Sequence, residues 1–359
     1  MCRNTHPLSF FVVSTFNPPS QGGELLEIHK KKMMKTYTAP QLLDKVNAYL
    51  KQMPYMRPPK GLYEPIAYEL SLGGKRIRPV LMLMAYNIYK EDVDTILPQA
   101  VGLETYHNHT LLHDDVMDKA DMRRNKPTVH NVWNENTAIL SGDAMLILAY
   151  RLMAEGLTDK LAEVLHTFTE TTMEICEGQQ WDMEFETRMD VKVDEYIEMI
   201  RLKTSVLLAA ALKIGACLAG APAEDAQKLY DFGVKMGLAF QLQDDWLDVY
   251  GDPKVFGKNI GGDILCNKKT YMLITALEEA DDAQRAELEH WLSARDYVPA
   301  EKIAAVTALY DAIGVGKRCE EKIEALYAEG LAVLEQVSAP APGKESLKEF
   351  ACSLMGRKV

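Results

Sequence analysis

The sequence predicts an all-α fold, one large helical bundle with a central cavity, and three observations carry that prediction. From Ala39 onward apolar residues recur at helical spacing, as in Leu42/Leu43/Val46/Leu50, Leu146/Leu148/Leu152, Ile197/Ile200/Leu207/Leu208 and Leu326/Leu331/Leu334. Strand-like alternation bounded by turn residues is essentially missing. Breaks fall at Gly73-Gly74, Lys126-Pro127, Gly220-Ala221-Pro222, Gly251-Asp252-Pro253, Gly261-Gly262 and along Ala339 to Gly343, which cut the chain into ten or more helices. No shift in composition marks a second domain, and no repeat of solenoid period is present.

The 359 residues suffice for a large core, and 47% hydrophobic with 26% charged residues is a globular profile. A net charge of −12 argues against nucleic acid as a partner, since phosphate backbones are met by basic surfaces. A phosphorylated small substrate stays open, because local Lys/Arg groups and a metal invert the sign within one pocket. Cys2, Cys176, Cys217, Cys266, Cys319 and Cys352 are scattered without a C-x-x-C pair, which reads as reduced thiols in a cytoplasmic protein. No apolar stretch reads as the 18 or so residues of a membrane span; Val206 to Gly220 is broken by Lys213 and reads as a core helix. Residues 1–33 run through Asn17-Pro18-Pro19 and Lys30-Lys31-Lys32 without a sustained period. They are expected to form a disordered leader to a domain over 34–359. Leu8 to Phe16 is short for a signal-peptide core, is weakly preceded by charge and lacks a small-residue cleavage site.

Two acidic clusters stand out. In His113-Asp114-Asp115-Val116-Met117-Asp118, Asp114 and Asp118 are four apart and share a helix face. Like charges at that spacing repel unless a cation sits between them, and oxygen ligands suit a hard cation. Gln243-Asp244-Asp245-Trp246-Leu247-Asp248 repeats the D-D-x-x-D spacing. Either cluster alone suits a solvated acidic patch. Two of them, each with apolar residues inside, fit opposing walls of a magnesium site better, since magnesium takes one or two carboxylates per ion and is completed by phosphate and water.

The basic residues that a diphosphate requires lie nearby in sequence. Gly73-Gly74-Lys75-Arg76-Ile77-Arg78-Pro79 precedes the first cluster, and Asp121-Met122-Arg123-Arg124-Asn125-Lys126-Pro127 follows it. Arginine forks match phosphate oxygens, and lysine acts as a point charge. Arg76 reads as ordinary surface charge.

These residues resemble the trans-prenyl diphosphate synthases of the farnesyl and geranylgeranyl type. Gly-Gly-Lys-Arg-x-Arg-Pro, His-Asp-Asp-x-x-Asp, Arg-Arg-x-Lys-Pro-Thr-x-His, Lys-Thr and Phe-Gln-x-x-Asp-Asp-x-x-Asp occur in order between Tyr63 and Leu277. The resemblance implies the isoprenoid synthase bundle and a condensation of isopentenyl diphosphate with an allylic diphosphate. Asp114, Asp118 and Asp244 would hold three Mg2+ ions, supported by Asp115, Asp245 and Asp248. Arg123, Lys203 and Lys258 match positions that hold the allylic diphosphate; Lys75, Arg78, His107 and Arg124 match those that hold isopentenyl diphosphate. Thr204 and Gln241 match polar groups beside the ionising carbon. No side-chain general base is implied, and His113 reads as a supporting hydrogen-bond partner. Asp143, Gln179 and Asp182 read as supporting polar groups, and Arg357-Lys358 matches a basic tail that closes over the second substrate in some members. Family members are generally homodimers.

The resemblance also makes the helix before the first cluster the floor of the product pocket. Tyr106 and His109 are three apart on one face, and Tyr106 lies roughly 12 Å from Asp114 along the axis. That short depth predicts a C15 or C20 product. A class I terpene cyclase would share the first cluster but leave Lys75 and Arg78 without a purpose; a longer-chain synthase would carry a smaller floor.

Overall fold

The computed structural model describes residues 34–54, 57–252, 260–339 and 341–355. Helix α1 (Ala39–Gln52) opens on Thr38, whose backbone N–H donates to the Gln41 side chain while the Gln41 N–H donates back to Thr38. Two otherwise orphaned amides are satisfied reciprocally. The periodic residues that predicted this helix, Leu42, Val46 and Leu50, form its buried stripe. Helices α2 (Lys60–Ser71) and α3 (Ile77–Asn87) flank the Gly73-Gly74 turn, and α4 (Leu97–Met117) ends on the first aspartate cluster. A hairpin follows, β1 (Met122–Arg123) against β2 (Lys126–Pro127), the one strand pairing among the described residues. Its tip residues Arg124 and Asn125 both have positive φ, 52° and 61°, the mirror-image turn whose twist suits a tight hairpin.

After α5 (Val129–Val132), α6 (Glu135–Ala154) starts on Asn134, whose Oδ1 accepts from Thr137 N at 2.9 Å. Then come α7 (Leu161–Thr187) and α8 (Val193–Ile200). The latter passes through a π turn, Arg201–Ser205, into α9 (Val206–Ala219). Helix α10 (Ala223–Tyr250) carries the second cluster. The order closes with α11 (Gly262–Leu265), α12 (Tyr271–Glu279), α13 (Asp282–Ser293), α14 (Pro299–Ile313), α15 (Val315–Glu335) and α16 (Ala341–Met355). The fold is the all-α bundle that the periodicity predicts.

Two apolar clusters hold it together. One joins α1 to α7 with α9, the first half of α10 and α16; the other joins α8 and α11 to α15 with the ends of α7 and α10. Helix α10 therefore runs through both: its packing changes between Met236 and Leu238, and the second aspartate cluster follows in the part that packs on the second.

Three readings of the sequence are corrected. Arg76 is buried, not surface charge: its Nη1 donates to Glu104 at 2.7 Å and its Nη2 to Leu70 O at 2.6 Å. The break along Ala339 to Gly343 is shorter than it reads, because α16 begins at Ala341 with Pro342 in its first turn, where a missing N–H costs no hydrogen bond. Two helical stretches do reach spanning length and hydropathy despite their charges: Glu135–Ala154 and the continuous Val193–Ala219, with mean hydropathies of 1.3 and 1.6. The second has 78% of its most apolar window buried, as a core helix does. The leader at 1–33 lies outside the described residues.

Candidate active site

In both aspartate clusters the middle carboxylate is buried and engaged, while the outer two are at least partly exposed. Asp115 is buried and accepts from Arg123 Nε at 3.0 Å and Nη2 at 2.5 Å. Asp245 is buried and accepts a short hydrogen bond from the Tyr196 hydroxyl and a second, at 3.2 Å, from Gln241 Nε2. Asp114, Asp118, Asp244 and Asp248 are partly or fully exposed. The Asp118 N–H donates to Asp114 O at 2.8 Å, so the shared helix face expected of this pair is present. Burial raises the Asp114 pKa, Lys203 opposes that, and Asp118 adds to it. Burial pushes the Asp245 carboxyl up to about 7 even though Tyr196 stabilises its charge. Asp248 Oδ2 accepts from Asp263 N at 3.0 Å.

The basic residues gather beside the first cluster. Arg124 Nη1 donates to Gly73 O, and a Cβ at Gly74 would stand 2.8 Å from Arg124 Nη2. Gly74, at φ 129°, is required by its backbone conformation, and a side chain there would also displace the guanidinium beside it. Arg78 Nη1 lies 3.1 Å from His107 Nε2. Arginine only donates, so that nitrogen accepts and the ring proton sits on Nδ1. Burial and the neighbouring arginines hold His107 well below the usual imidazole range, hence neutral. Burial also draws the Arg78 pKa down to about 10, which leaves it charged at neutral pH.

The π turn sets Lys203 on Asp182, within the field of Asp114, and Thr204 toward Gln241 and the second cluster. Glycines on both sides let neighbouring helices approach: a Cβ at Gly178 of α7 would lie 2.4 Å from Lys203 N, and one at Gly237 of α10 would lie 2.6 Å from Ser205 Cα. Lys203 Nζ donates to Asp182 Oδ2 at 2.5 Å, and Thr204 Oγ1 to Gln241 Oε1 at 3.4 Å. Thr204, Gln241, Asp245 and Tyr196 thereby form one hydrogen-bonded chain.

The sequence reading missed Lys268. Its ammonium stands in the field of Asp182, Asp263, Asp245 and Asp118, which hold its pKa up against burial. The charge of this one cation is thus stabilised by Asp118 of the first cluster and Asp245 of the second. A lysine following Gly261-Gly262-Asp263 was the available signal. Tyr196 was also missed, and no local signal marked it.

Among the other expected residues, His113 Nε2 lies 3.2 Å from Ile139 O and 3.9 Å from Asp143, turned toward α6. Gln179 Nε2 contacts Met117 Sδ at 3.9 Å. Tyr106 and His109 do pack together, ring centroids 5.6 Å apart, with Phe168 of α7 5.4 Å behind Tyr106. His109 Nδ1 donates to Gly142 O at 2.9 Å, and burial keeps that imidazole neutral. Beside Arg78 and Thr204 lies an apolar cavity walled by Leu81, Leu208, Phe232 and Phe240 and closed by Leu354 of α16. Lys75 and Asp244 belong to the same two regions by sequence position; Lys258, Arg357 and Lys358 lie outside the described residues.

The donor set fits magnesium. Among the described residues no three acidic, histidine or cysteine side chains converge to cage an ion by themselves. Outward-facing carboxylates in separated pairs suit a hard cation that completes its octahedron with phosphate and water.

Comparison with known proteins agrees with this geometry. The model of the polyprenyl synthetase family matches residues 59–312. A short chain isoprenyl diphosphate synthase of Methanocaldococcus jannaschii is 40% identical over 277 residues, 77% of this chain and 84% of that protein. A geranylgeranyl diphosphate synthase of Methanosarcina mazei is 41% identical over 236 residues, 65% and 73% of the two chains. The crystal structure of a geranylgeranyl pyrophosphate synthase superposes with a TM-score of 0.86 at 43% identity, covering 90% of this chain and 100% of that one. The chain belongs to the polyprenyl synthetase family and is a short-chain trans-prenyltransferase.

Proposed function

We propose that the chain condenses isopentenyl diphosphate with dimethylallyl, geranyl or farnesyl diphosphate and stops at C15 or C20. The observation that carries this reading is the pair of held aspartates, Asp115 by Arg123 and Asp245 by Tyr196 and Gln241, each flanked by partly or fully exposed carboxylates, with Lys268 in the field of both clusters. A diphosphate between those walls meets cations and metal-binding carboxylates together. The family is generally magnesium-dependent, and Asp114, Asp118, Asp244 and Asp248 would hold the ions, three in our reading, with Asp115 and Asp245 in support. Bound magnesium supplies charge neutralisation for the departing diphosphate.

The protein's own groups do the rest. Arg123 and Lys203, with Lys258, grip the allylic diphosphate from positions already fixed by Asp115 and Asp182. Lys75, Arg78, Arg124 and neutral His107 hold the second diphosphate on the α3 side. Preorganised donors of this kind stabilise charge as it develops, without reorganising. When the allylic C–O bond breaks, its electron pair leaves with diphosphate. The isopentenyl double bond then attacks the cationic carbon, and the released diphosphate takes the proton that is lost. Thr204 and Gln241 offer dipoles beside that carbon. The apolar cavity at Leu208, Phe232 and Phe240 keeps water from the cation.

The partner we propose is a second copy. Leu140 and Ile147, seven apart and so on one stripe of α6, are 60% and 72% exposed, and Met173 of α7 is 59% exposed. Cys176, Cys217, Cys266, Cys319 and Cys352 are free thiols, as suits a reducing cytoplasm.

The deciding assay supplies each allylic diphosphate with magnesium, with and without isopentenyl diphosphate. C15 or C20 product that depends on isopentenyl diphosphate is expected. Consumption of the allylic substrate without it would overturn the reading in favour of a cyclase.

A further inference from the structure

Lys302 of α14 is 1% exposed. A buried ammonium ordinarily calls for a carboxylate partner, yet the groups around it are of another kind. Its nitrogen donates to Asn267 Oδ1 at 2.6 Å and stands 4.5 Å over the Tyr297 ring. Tyr297 in turn donates to Leu265 O at 3.3 Å. Asn267 Nδ2 donates to Leu292 O of α13 at 3.0 Å. Lysine only donates and a carbonyl only accepts, so the Asn267 amide has a single orientation between them. Asn267 also holds φ 54°, a left-handed conformation that needs support in a residue other than glycine.

The next residue is Lys268. Its N–H donates to Asp263 O at 2.9 Å, and Asp263 N donates to Asp248 Oδ2 at 3.0 Å. Ile303, adjacent to Lys302, leaves no space for a side chain at Gly261, where a Cβ would come within 2.6 Å. Helix α14 therefore grips the turn at both ends.

We propose that Lys302 is a positioning residue for the diphosphate site, fixing Asn267 so that Lys268, joined through Asp263 to Asp248, is held beside the second aspartate cluster. The proposal deepens the condensation reading and rests on it. An apolar side chain of equal length would fill the same space without burying charge, so the function of the ammonium is its bond to Asn267.

The test compares the full-length enzyme with Lys302→Met, Lys268→Met and the double variant. Binding of inorganic diphosphate with magnesium is followed by titration calorimetry, and KM and kcat are measured with geranyl and isopentenyl diphosphates. Lys302→Met is expected to weaken diphosphate binding and raise the allylic KM about tenfold, as loss of a supporting contact does. The KM for isopentenyl diphosphate should stay within about twofold, since its clamp lies on α3 and the hairpin. Added to Lys268→Met, the substitution should change nothing more, because its effect runs through Lys268. Losses that multiply in the double variant, or a lowered melting temperature with binding intact, overturn the proposal. Should Lys302→Met fail to fold, Asn267→Ala severs the same bond from the other side and is judged by the same criteria. A wild-type enzyme that binds diphosphate but condenses nothing would sink the condensation reading instead, and calorimetry would still decide the positioning role.

Discussion

Arg123 holds Asp115 through two nitrogens, Nε at 3.0 Å and Nη2 at 2.5 Å from the same carboxylate oxygen. Asp115 is thus occupied by its own chain, whereas Asp114 is partly and Asp118 fully exposed. The three aspartates of one motif should respond differently to neutralisation. Asp114→Asn or Asp118→Asn is expected to lower kcat by about 10²–10³, the loss typical of a group that stabilises developing charge. Asp115→Asn should cost about 10–100-fold, mostly as a raised KM for the allylic diphosphate through a misplaced Arg123. Steady-state kinetics at saturating magnesium separate the two patterns, and equal losses at all three positions would refute the distinction.

The second cluster repeats the arrangement with a different donor. Tyr196 supplies the hydroxyl that Asp245 accepts, 49 residues away in sequence. Tyr196→Phe should raise the magnesium concentration for half-maximal rate about 10–100-fold while leaving the fold intact. A magnesium titration of the variant beside circular dichroism checks it. An unchanged requirement would show that Asp245 is held well enough by Gln241 alone.

We propose that product length is set where Tyr106 meets His109 and Phe168. Tyr106→Ala with His109→Ala should lengthen the product, read by chromatography of the dephosphorylated alcohols. Tyr106 is almost wholly buried, so its removal also leaves a cavity worth about 3–5 kcal/mol of lost stability, and the assay belongs well below the lowered melting temperature. His109→Ala alone is the milder probe. An unchanged product in the double variant would remove both residues from the floor.

Glu69 predicts a pH dependence of stability. It is fully buried in α2, and neither carboxylate oxygen has a hydrogen-bond partner among the described residues. Burial, and then Asp115, push its pKa from 4.5 to about 7 against the pull of Arg123, Arg124 and Arg76. The folded state therefore holds a proton that the unfolded state has released between pH 4.5 and 7, so stability declines through that window and the penalty is complete above it. Glu69→Gln mimics the protonated acid. It should leave the melting temperature unchanged near pH 4.5 and raise it at pH 8, by at most about 3 kcal/mol in stability. Equal effects at both pH values would contradict this account.

Periodicity and turn residues made the helices legible, because an apolar stripe repeats within a few residues. The aspartate clusters were legible for the same reason: a D-D-x-x-D face is a local object. Arg76 was misread because Glu104, its partner, comes from another helix. Tyr196 with Asp245 and Lys302 with Asn267 were invisible likewise, since only tertiary packing brings them together. The extra backbone residue at Lys203 left no mark either, because a π turn has no distinctive composition and is shaped here by Gly178 and Gly237 from outside.

That π turn has a consequence for how the chain tolerates change. Val206 N bonds Arg201 O, five residues back, so the helix beyond emerges about 100° out of phase with the helix before. Lys203 meets Asp182 and Thr204 lines the apolar cavity while the length of α9 stays in the core, and these outcomes hang on one surplus residue. Exchanging side chains along α9 alters contacts one at a time. Deleting a single residue between Ile200 and Val206 would turn the whole of α9 about its axis, displacing the site's lysine and swinging Lys213, the one charged side chain of this buried helix, toward the core in one step. The segment is permissive in composition and strict in length.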